Sequence, residues 1–208
     1  MILISRYIEI SNLNSLDLNT GYRSIADDIT RHLSGLQNPN IPKVVLTVGS
    51  ERDYLANIML HYLNQQGLVA SDCLSTHYQE NAHDSKSIGI GHVDITFYRD
   101  DFEGGGDPRG SVMPRQVDGS QIYIVTKKIH TGRSVRAAMR YLFQEGRPAG
   151  IYLASLLDFA ERELPIQPDF TYKLVEILPQ VRDQIRKGFI KIEVGSGKAE
   201  LIVKEQSS

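Results

Sequence analysis

Short runs of branched aliphatic residues alternate with longer amphipathic segments along this chain, and that alternation constrains the fold more than any other feature. The runs Lys43–Val48, Gln121–Val125 and Ile151–Leu157 have the length and composition of buried parallel strands. Amphipathic helices are predicted over 21–36 and 132–144. Strands that alternate with helices predict an α/β fold, in which right-handed crossovers place helices against a parallel sheet.

The remaining segments complete a single predicted domain over 1–208, a length that can bury a sizeable core. A further strand is predicted over 90–98, and an antiparallel pair over 189–194 and 198–204. Residues 71–88 are expected to be irregular, and the glycine-rich stretch 99–120 to form a flexible functional loop. In the helix at 132–144, the residues predicted to face the core are Val135, Ala138, Met139, Leu142 and Phe143.

The composition argues against several classes of protein. With 23 basic and 25 acidic residues the formal charge is −2, which gives no overall footprint for nucleic acid or membrane but leaves a local basic face open. Cys73 is the only cysteine, so no internal disulfide or CxxC zinc pair can form, and a reducing cytoplasm is expected. The six histidines show no HxxxH or HExxH spacing, so no metal site is expected. No run approaches the roughly 20 apolar residues of a membrane span.

The segment between the strand at 121–125 and the following helix has the pattern of an anion-binding junction. Residues 126–131 are predicted to form a short loop, and Thr131, Gly132, Arg133 and Ser134 then lead into the helix. Free backbone N–H groups and the helix dipole converge at such a junction, and glycine permits the close approach of a phosphate. The alternative is an ordinary helix cap, because strand–loop–helix junctions with Thr-Gly are common.

Four motifs, in order along the chain, carry a resemblance to a known family. They are Gly91–Asp101 (GHVDITFYRDD), Thr131–Ala137 (TGRSVRA), Glu145–Pro148 (EGRP), and Arg162–Ile166 (RELPI) followed by Pro168–Phe170. Together they resemble the pyrimidine-operon regulator and uracil phosphoribosyltransferase family (PyrR). The resemblance implies a type I phosphoribosyltransferase fold with a parallel sheet, a flexible loop over the site and a small hood. It also implies a homodimer or larger oligomer.

The same resemblance implies a chemistry. Active relatives transfer phosphoribose from phosphoribosyl pyrophosphate (PRPP) to uracil with magnesium. They also bind the leader RNA of pyrimidine genes, and uridine nucleotides tune that binding. In the family, two adjacent acidic residues follow the buried strand, hold the ribose hydroxyls and assist catalysis.

This chain departs from the family pattern where that chemistry takes place. The positions of the two acids are Thr126 and Lys127, followed by Lys128. These replacements remove the hydroxyl acceptors and reverse the charge that a hydrated magnesium complex would meet. The family's basic pyrophosphate loop is replaced by the shorter connection Ser50–Asp53, whose ends have capping-box spacing. We therefore assign no catalytic residue and expect no cofactor.

The lysine pair after the strand at 121–125 and Arg99 each have two interpretations. Lys127 and Lys128 form either a new anion clamp beside the Thr131–Ser134 junction or a pair of solvated lysines at a strand end. Arg99 lies in the family's flexible-loop motif, where it would approach pyrophosphate in relatives, or it makes only a local ion pair.

The predicted helix at 132–144 also carries a basic stripe. It is either an RNA-binding face or an ordinary solvated one, and it consists of Arg133, Arg136 and Arg140. No aromatic residue is expected to interleave with these arginines, so base stacking is not indicated. Asp158 and Glu161 follow a buried strand and are either general acid–base groups or part of a surface turn.

Three functions from different classes follow from these observations. The first is a non-catalytic regulatory or scaffold protein that binds a phosphate or nucleotide at 126–134 and acts through a protein partner. The second is an RNA-binding attenuator of pyrimidine genes that has lost catalysis. The third is an active uracil phosphoribosyltransferase with an altered site, which the missing acids disfavour.

Overall fold

The computed structural model of the chain describes residues 7–49, 54–68, 70–72, 88–95, 111–114, 117–186, 190–194 and 199–203. Arg99, the capping pair Ser50 and Asp53, and most of the loop predicted at 99–120 lie outside these residues. The predictions made for them stay predictions.

The described residues form one large parallel sheet with helices on both faces. The seven strands of this sheet have the order β1-β7-β6-β5-β2-β4-β3, and each neighbouring pair is parallel. They are β1 (Tyr7–Glu9), β2 (Lys43–Val48), β3 (Ala70–Asp72), β4 (Ile88–Val93), β5 (Gln121–Ile129), β6 (Gly150–Asp158) and β7 (Phe170–Glu176). The helices are α1 (Leu18–Ser34), α2 (Tyr54–Gln65), α3 (Arg133–Glu145) and α4 (Pro179–Arg186), with a 3-10 helix at Ile10–Ser15.

Side-chain alternation along the central strands assigns the helices to opposite faces. Val45 and Tyr123 pack in one core cluster with the apolar residues of α1 and α2. Leu46 and Ile122 pack in a second cluster with the apolar residues of α3. Because both faces of the central strands are covered, these strands consist of continuous apolar runs rather than alternating ones. The predicted α/β class, with helices on both sides of a parallel sheet, is confirmed.

A small antiparallel pair follows the sheet, as predicted. Its strands are β8 (Ile190–Val194) and β9 (Ala199–Val203). β9 contacts the 3-10 helix, and β8 contacts α4. None of the helices in the described ranges combines the length and apolar content that a bilayer crossing demands.

Several predicted strand boundaries are wrong. β5 continues to Ile129 because its last residues pair with β6, so the segment predicted as a loop from 126 is largely strand. β7 was not predicted at all, and β3 lies where irregular chain was expected. β4 begins at Ile88, two residues before the predicted start, ends at Val93 and is buried throughout.

The later part of β4 has a second backbone partner besides β2. His92 and Val112 form an antiparallel bridge, in which the N–H of His92 donates to the carbonyl of Val112 at 2.9 Å. A Cβ at Gly91 would lie 2.5 Å from that carbonyl oxygen, so only glycine permits this close approach.

One predicted core residue is also wrong. Phe143 was placed on the inward face of α3, but its side chain is 60% exposed. The buried face of the helix instead includes Ala137 and Tyr141, so it is rotated away from Phe143. The aromatic ring therefore lies on the outer surface of α3.

Candidate functional site

The sheet has a topological switch point between β2 and β5, where the winding direction reverses. From β2 the chain continues through α2 to the far edge and returns as β4, whereas β5 pairs with the opposite side of β2. In open α/β sheets, ligands bind outside the carboxyl ends of the strands at such a switch point. The side formed by β2 continues into Ser50–Asp53, outside the described residues, so the site is built here from β5 and β6.

The hydroxyl groups near the ends of β5 and β6 are used internally. Thr126 is 6% exposed, and its hydroxyl donates to the carbonyl of Lys128 at 3.1 Å. Its register partner, Ser155, is fully buried and donates in the same way to the carbonyl of Leu157 at 2.8 Å. Thr126 therefore offers neither a carboxylate nor an uncommitted hydroxyl hydrogen to a ligand. Lys127 and Lys128 are half-buried beside it.

The junction between β5 and α3 combines a left-handed glycine with a first helical turn whose N–H groups lack intrahelical acceptors. Gly132 has φ of +92°, in the left-handed region that favours glycine, and precedes the first residue of the helix. The N–H of Arg133 donates weakly to the Thr131 hydroxyl oxygen at 3.4 Å. The first intrahelical bond here runs from the N–H of Arg136 to the carbonyl of Gly132 at 3.0 Å. The N–H groups of Ser134 and Val135, in the first turn, therefore have no intrahelical acceptor.

The chain after β6 packs directly behind this junction. The guanidinium of Arg162 donates to the carbonyl of His130 at 2.9 Å, to the carbonyl of Ile166 at 2.7 Å and to the carboxylate of Asp158 at 2.6 Å. The N–H groups of Glu163 and Leu164 both donate to the carbonyl of Thr131, at 3.1 and 3.2 Å. We call residues 158–166 the buttress segment. The Arg162–Ile166 motif contributed to the family resemblance, but no role was predicted for Arg162 from the sequence.

The acidic residues of the buttress segment form ion pairs. Asp158 pairs with Arg162 at 2.6 Å, and Glu161 pairs with Arg182 of α4 at 2.5 Å. Glu163 pairs with Arg133 at 2.7 Å on the surface. This geometry favours the interpretation of Asp158 and Glu161 as structural groups. It also directs the guanidinium of Arg133 toward Glu163.

His130 adds a polar but uncharged group next to the junction. Burial lowers the pKa of its imidazole below the ordinary value, although Glu161 acts in the opposite direction. Its ring meets Phe159 edge-on, with the centroids 6.1 Å apart. At neutral pH the ring is therefore mainly neutral, and positive charge near the junction comes from lysine and arginine side chains.

The outer face of α3 carries both basic and aromatic side chains. Arg136, Arg140 and Phe143 lie on one side of the helix, because residues three, four and seven apart are neighbours on its surface. Phe143 thus adds an exposed aromatic ring next to the basic stripe, at the carboxyl-terminal side of Arg140. Within the described part of the chain, no ion pair is recorded for Arg140, which is exposed.

Potential metal ligands do not cluster in the part of the chain that the structure describes. No group of three His, Cys, Asp or Glu side chains there is arranged to hold a metal ion. The candidate site consequently consists of backbone N–H groups, hydroxyls and basic side chains.

Comparison with known proteins identifies relatives over most of the chain. No protein-family model matches the sequence. The bifunctional protein PyrR of Thermosynechococcus vestitus is 35% identical over 164 residues, which cover 78% of this chain and 83% of that protein. The protein of the same name from Microcystis aeruginosa is 32% identical over 179 residues, covering 85% of this chain and 94% of the relative.

Solved structures with a similar fold are more distant in sequence. The hypoxanthine phosphoribosyltransferase of Trypanosoma cruzi superposes with a TM-score of 0.50 at 17% identity, covering 76% of each chain. A hypoxanthine-guanine phosphoribosyltransferase from Bacillus anthracis gives a TM-score of 0.51 at 13% identity, covering 76% of this chain and 77% of that chain. At these identities the likeness concerns the fold alone.

Proposed function

The chain belongs to the PyrR family, and from that premise we propose that it is a regulatory protein that does not transfer phosphoribose. In this proposal it binds a phosphate or a nucleoside monophosphate at residues 126–134 and acts through a protein partner. It works in the cytoplasm as a homodimer or larger oligomer.

One observation carries the proposal. The same strand–helix connection has a left-handed glycine and first-turn N–H groups without intrahelical acceptors at its helix end, and it lacks at its strand end the acids that the resemblance implies for active relatives. By the family resemblance, Thr126 and Lys127 stand at the two acidic positions. The Thr126 hydroxyl donates its hydrogen to the Lys128 carbonyl. The junction has a left-handed glycine at Gly132, and the N–H groups of Ser134 and Val135 have no intrahelical acceptor. Such a cradle recognises a dianionic phosphate through N–H groups and the helix dipole, without a metal ion.

Calorimetry with uridine monophosphate, PRPP and inorganic phosphate, each with and without magnesium, tests the proposal. We expect the monophosphate to bind without magnesium. We expect PRPP to bind no more tightly, because its other contacts need the altered positions. Tight PRPP binding that depends on magnesium would show that the transferase site is functional. If none of the three anions binds, the junction is only a helix cap.

A second candidate, RNA-binding attenuation of pyrimidine genes, is favoured by the outer face of α3. Guanidinium groups can track phosphates, and an exposed aromatic ring can stack on an unpaired base. The face offers both chemistries through Arg136, Arg140 and Phe143, which lie within about two helical turns.

The test of this second candidate uses a single-stranded pyrimidine leader RNA and measures binding at several salt concentrations. If the protein is an attenuator, binding should weaken with salt, and Phe143→Ala should weaken it about tenfold, as expected for one lost base stack. Arg31→Gln is the control, because Arg31 is an exposed arginine on α1 that pairs with Asp28. Equal binding by wild type and Phe143→Ala would argue against this face.

A further inference from the structure

Two consecutive peptide carbonyls just before Gly132 are held by the buttress segment. The carbonyl of His130 accepts from Arg162 Nη1 at 2.9 Å. The carbonyl of Thr131 accepts from the N–H groups of Glu163 and Leu164. Both oxygens are therefore turned toward the same neighbouring segment.

The direction of these carbonyls fixes the direction of two N–H groups. In a planar trans peptide the carbonyl and the N–H of one unit point in opposite directions. The unit that begins with the His130 carbonyl ends in the N–H of Thr131, and the next unit ends in the N–H of Gly132. Both N–H groups consequently point away from the buttress segment, and within the described residues no acceptor is recorded for either.

Arg162 holds the first of these two peptide units and links it to both ends of the buttress segment. Its side chain is 14% exposed and pairs with Asp158, which is 9% exposed. It also donates to the carbonyl of Ile166 at 2.7 Å. A planar guanidinium can bond three acceptors in fixed directions, whereas a lysine ammonium has no such fork.

We propose that Arg162 is a positioning residue for the anion cradle, which it shapes through the His130 carbonyl without touching the ligand. The inference deepens the proposed function and rests on it, since it concerns the same junction. Arg162 orients the peptide unit that presents the Thr131 N–H. It also anchors the segment whose Glu163 and Leu164 N–H groups orient the next unit.

The test compares Arg162→Lys with Arg182→Lys. Arg182 provides the matched control, because it also pairs with an acid of the buttress segment, Glu161. Among the described residues it makes no hydrogen bond to residues 130–132. We expect Arg162→Lys to weaken uridine monophosphate binding by about 10- to 100-fold, the range typical when groups that orient a binding shell are lost. Arg182→Lys should bind within about twofold of wild type, as expected for an ion pair outside that shell.

Two further measurements separate positioning from general loss of structure. Ethylguanidinium added to Arg162→Ala should restore monophosphate binding, which a merely destabilised fold would not show. Without any ligand, the amide resonance of Gly132 should shift in Arg162→Lys and not in Arg182→Lys. Equal binding and equal Gly132 shifts in the two lysine variants would overturn the inference. If wild type binds no anion but the Gly132 shift is specific to Arg162→Lys, Arg162 still orients the junction and the proposed function fails.

Discussion

The purified protein is expected to form no uridine monophosphate from uracil and PRPP with magnesium. General acid–base groups typically contribute a factor of about 10² to 10⁴, so loss of the acids should lower the rate at least about 100-fold below an active PyrR protein. Thr126 is buried and bonded to the Lys128 carbonyl, so it cannot replace a carboxylate. Lys127 presents a cation where a magnesium complex would need an anion.

A radiolabelled uracil assay, run beside an active PyrR protein, measures this rate. The informative variant is Thr126→Asp with Lys127→Asp, which places acids at the two positions of β5 where the family resemblance implies them. Turnover in this variant but not in wild type would assign the loss to these two positions. Turnover by wild type within a few-fold of the active protein would instead support the third hypothesis, an active transferase with an altered site.

The fold could be predicted where the sequence pattern reports burial directly. The β2 run is buried on both faces, and its bounds, Lys43–Val48, agree with the prediction. The end of β5 could not be predicted, because Lys127 and Lys128 are not typical of a strand and this segment is strand through pairing with β6. Long-range pairing outweighs local propensity here.

Two further errors came from side chains whose burial contradicts their chemistry. Lys173 lies in the middle of β7 and is only 7% exposed. Burial lowers the pKa of its ammonium group. Because a lysine is not expected in a buried strand, the sequence did not indicate β7. Its Nζ lies 5.3 Å from the centroid of the Tyr172 ring, a favourable arrangement for a cation. Phe143 is the reverse case, an aromatic residue that helical periodicity placed inside and the structure places outside.

The candidate site shows the same division between local and long-range information. The junction at Thr131–Ser134 was recognisable because its residues are adjacent and each has a local role. Arg162 had no recognisable role, because one of its acceptors, the His130 carbonyl, is 32 residues away. A partly buried arginine that bonds backbone carbonyls leaves no periodic pattern in a sequence, so its role becomes visible only in three dimensions.

Replacement of Gly132 by alanine is expected to weaken uridine monophosphate binding at least about 30-fold. At φ of +92° an alanine is strained by roughly 1–2 kcal/mol, so the junction should relax toward negative φ. That relaxation would rotate the adjacent N–H groups out of the cradle and remove several charge-assisted bonds.

The matched control is Gly119→Ala. Gly119 also has a positive φ, +71°, but it precedes β5 and therefore lies at the opposite end of that strand from the junction. Calorimetry should show the loss of affinity only in Gly132→Ala, while thermal unfolding shows a similar destabilisation in both. If both variants keep wild-type affinity, the N–H groups around Gly132 do not hold the phosphate.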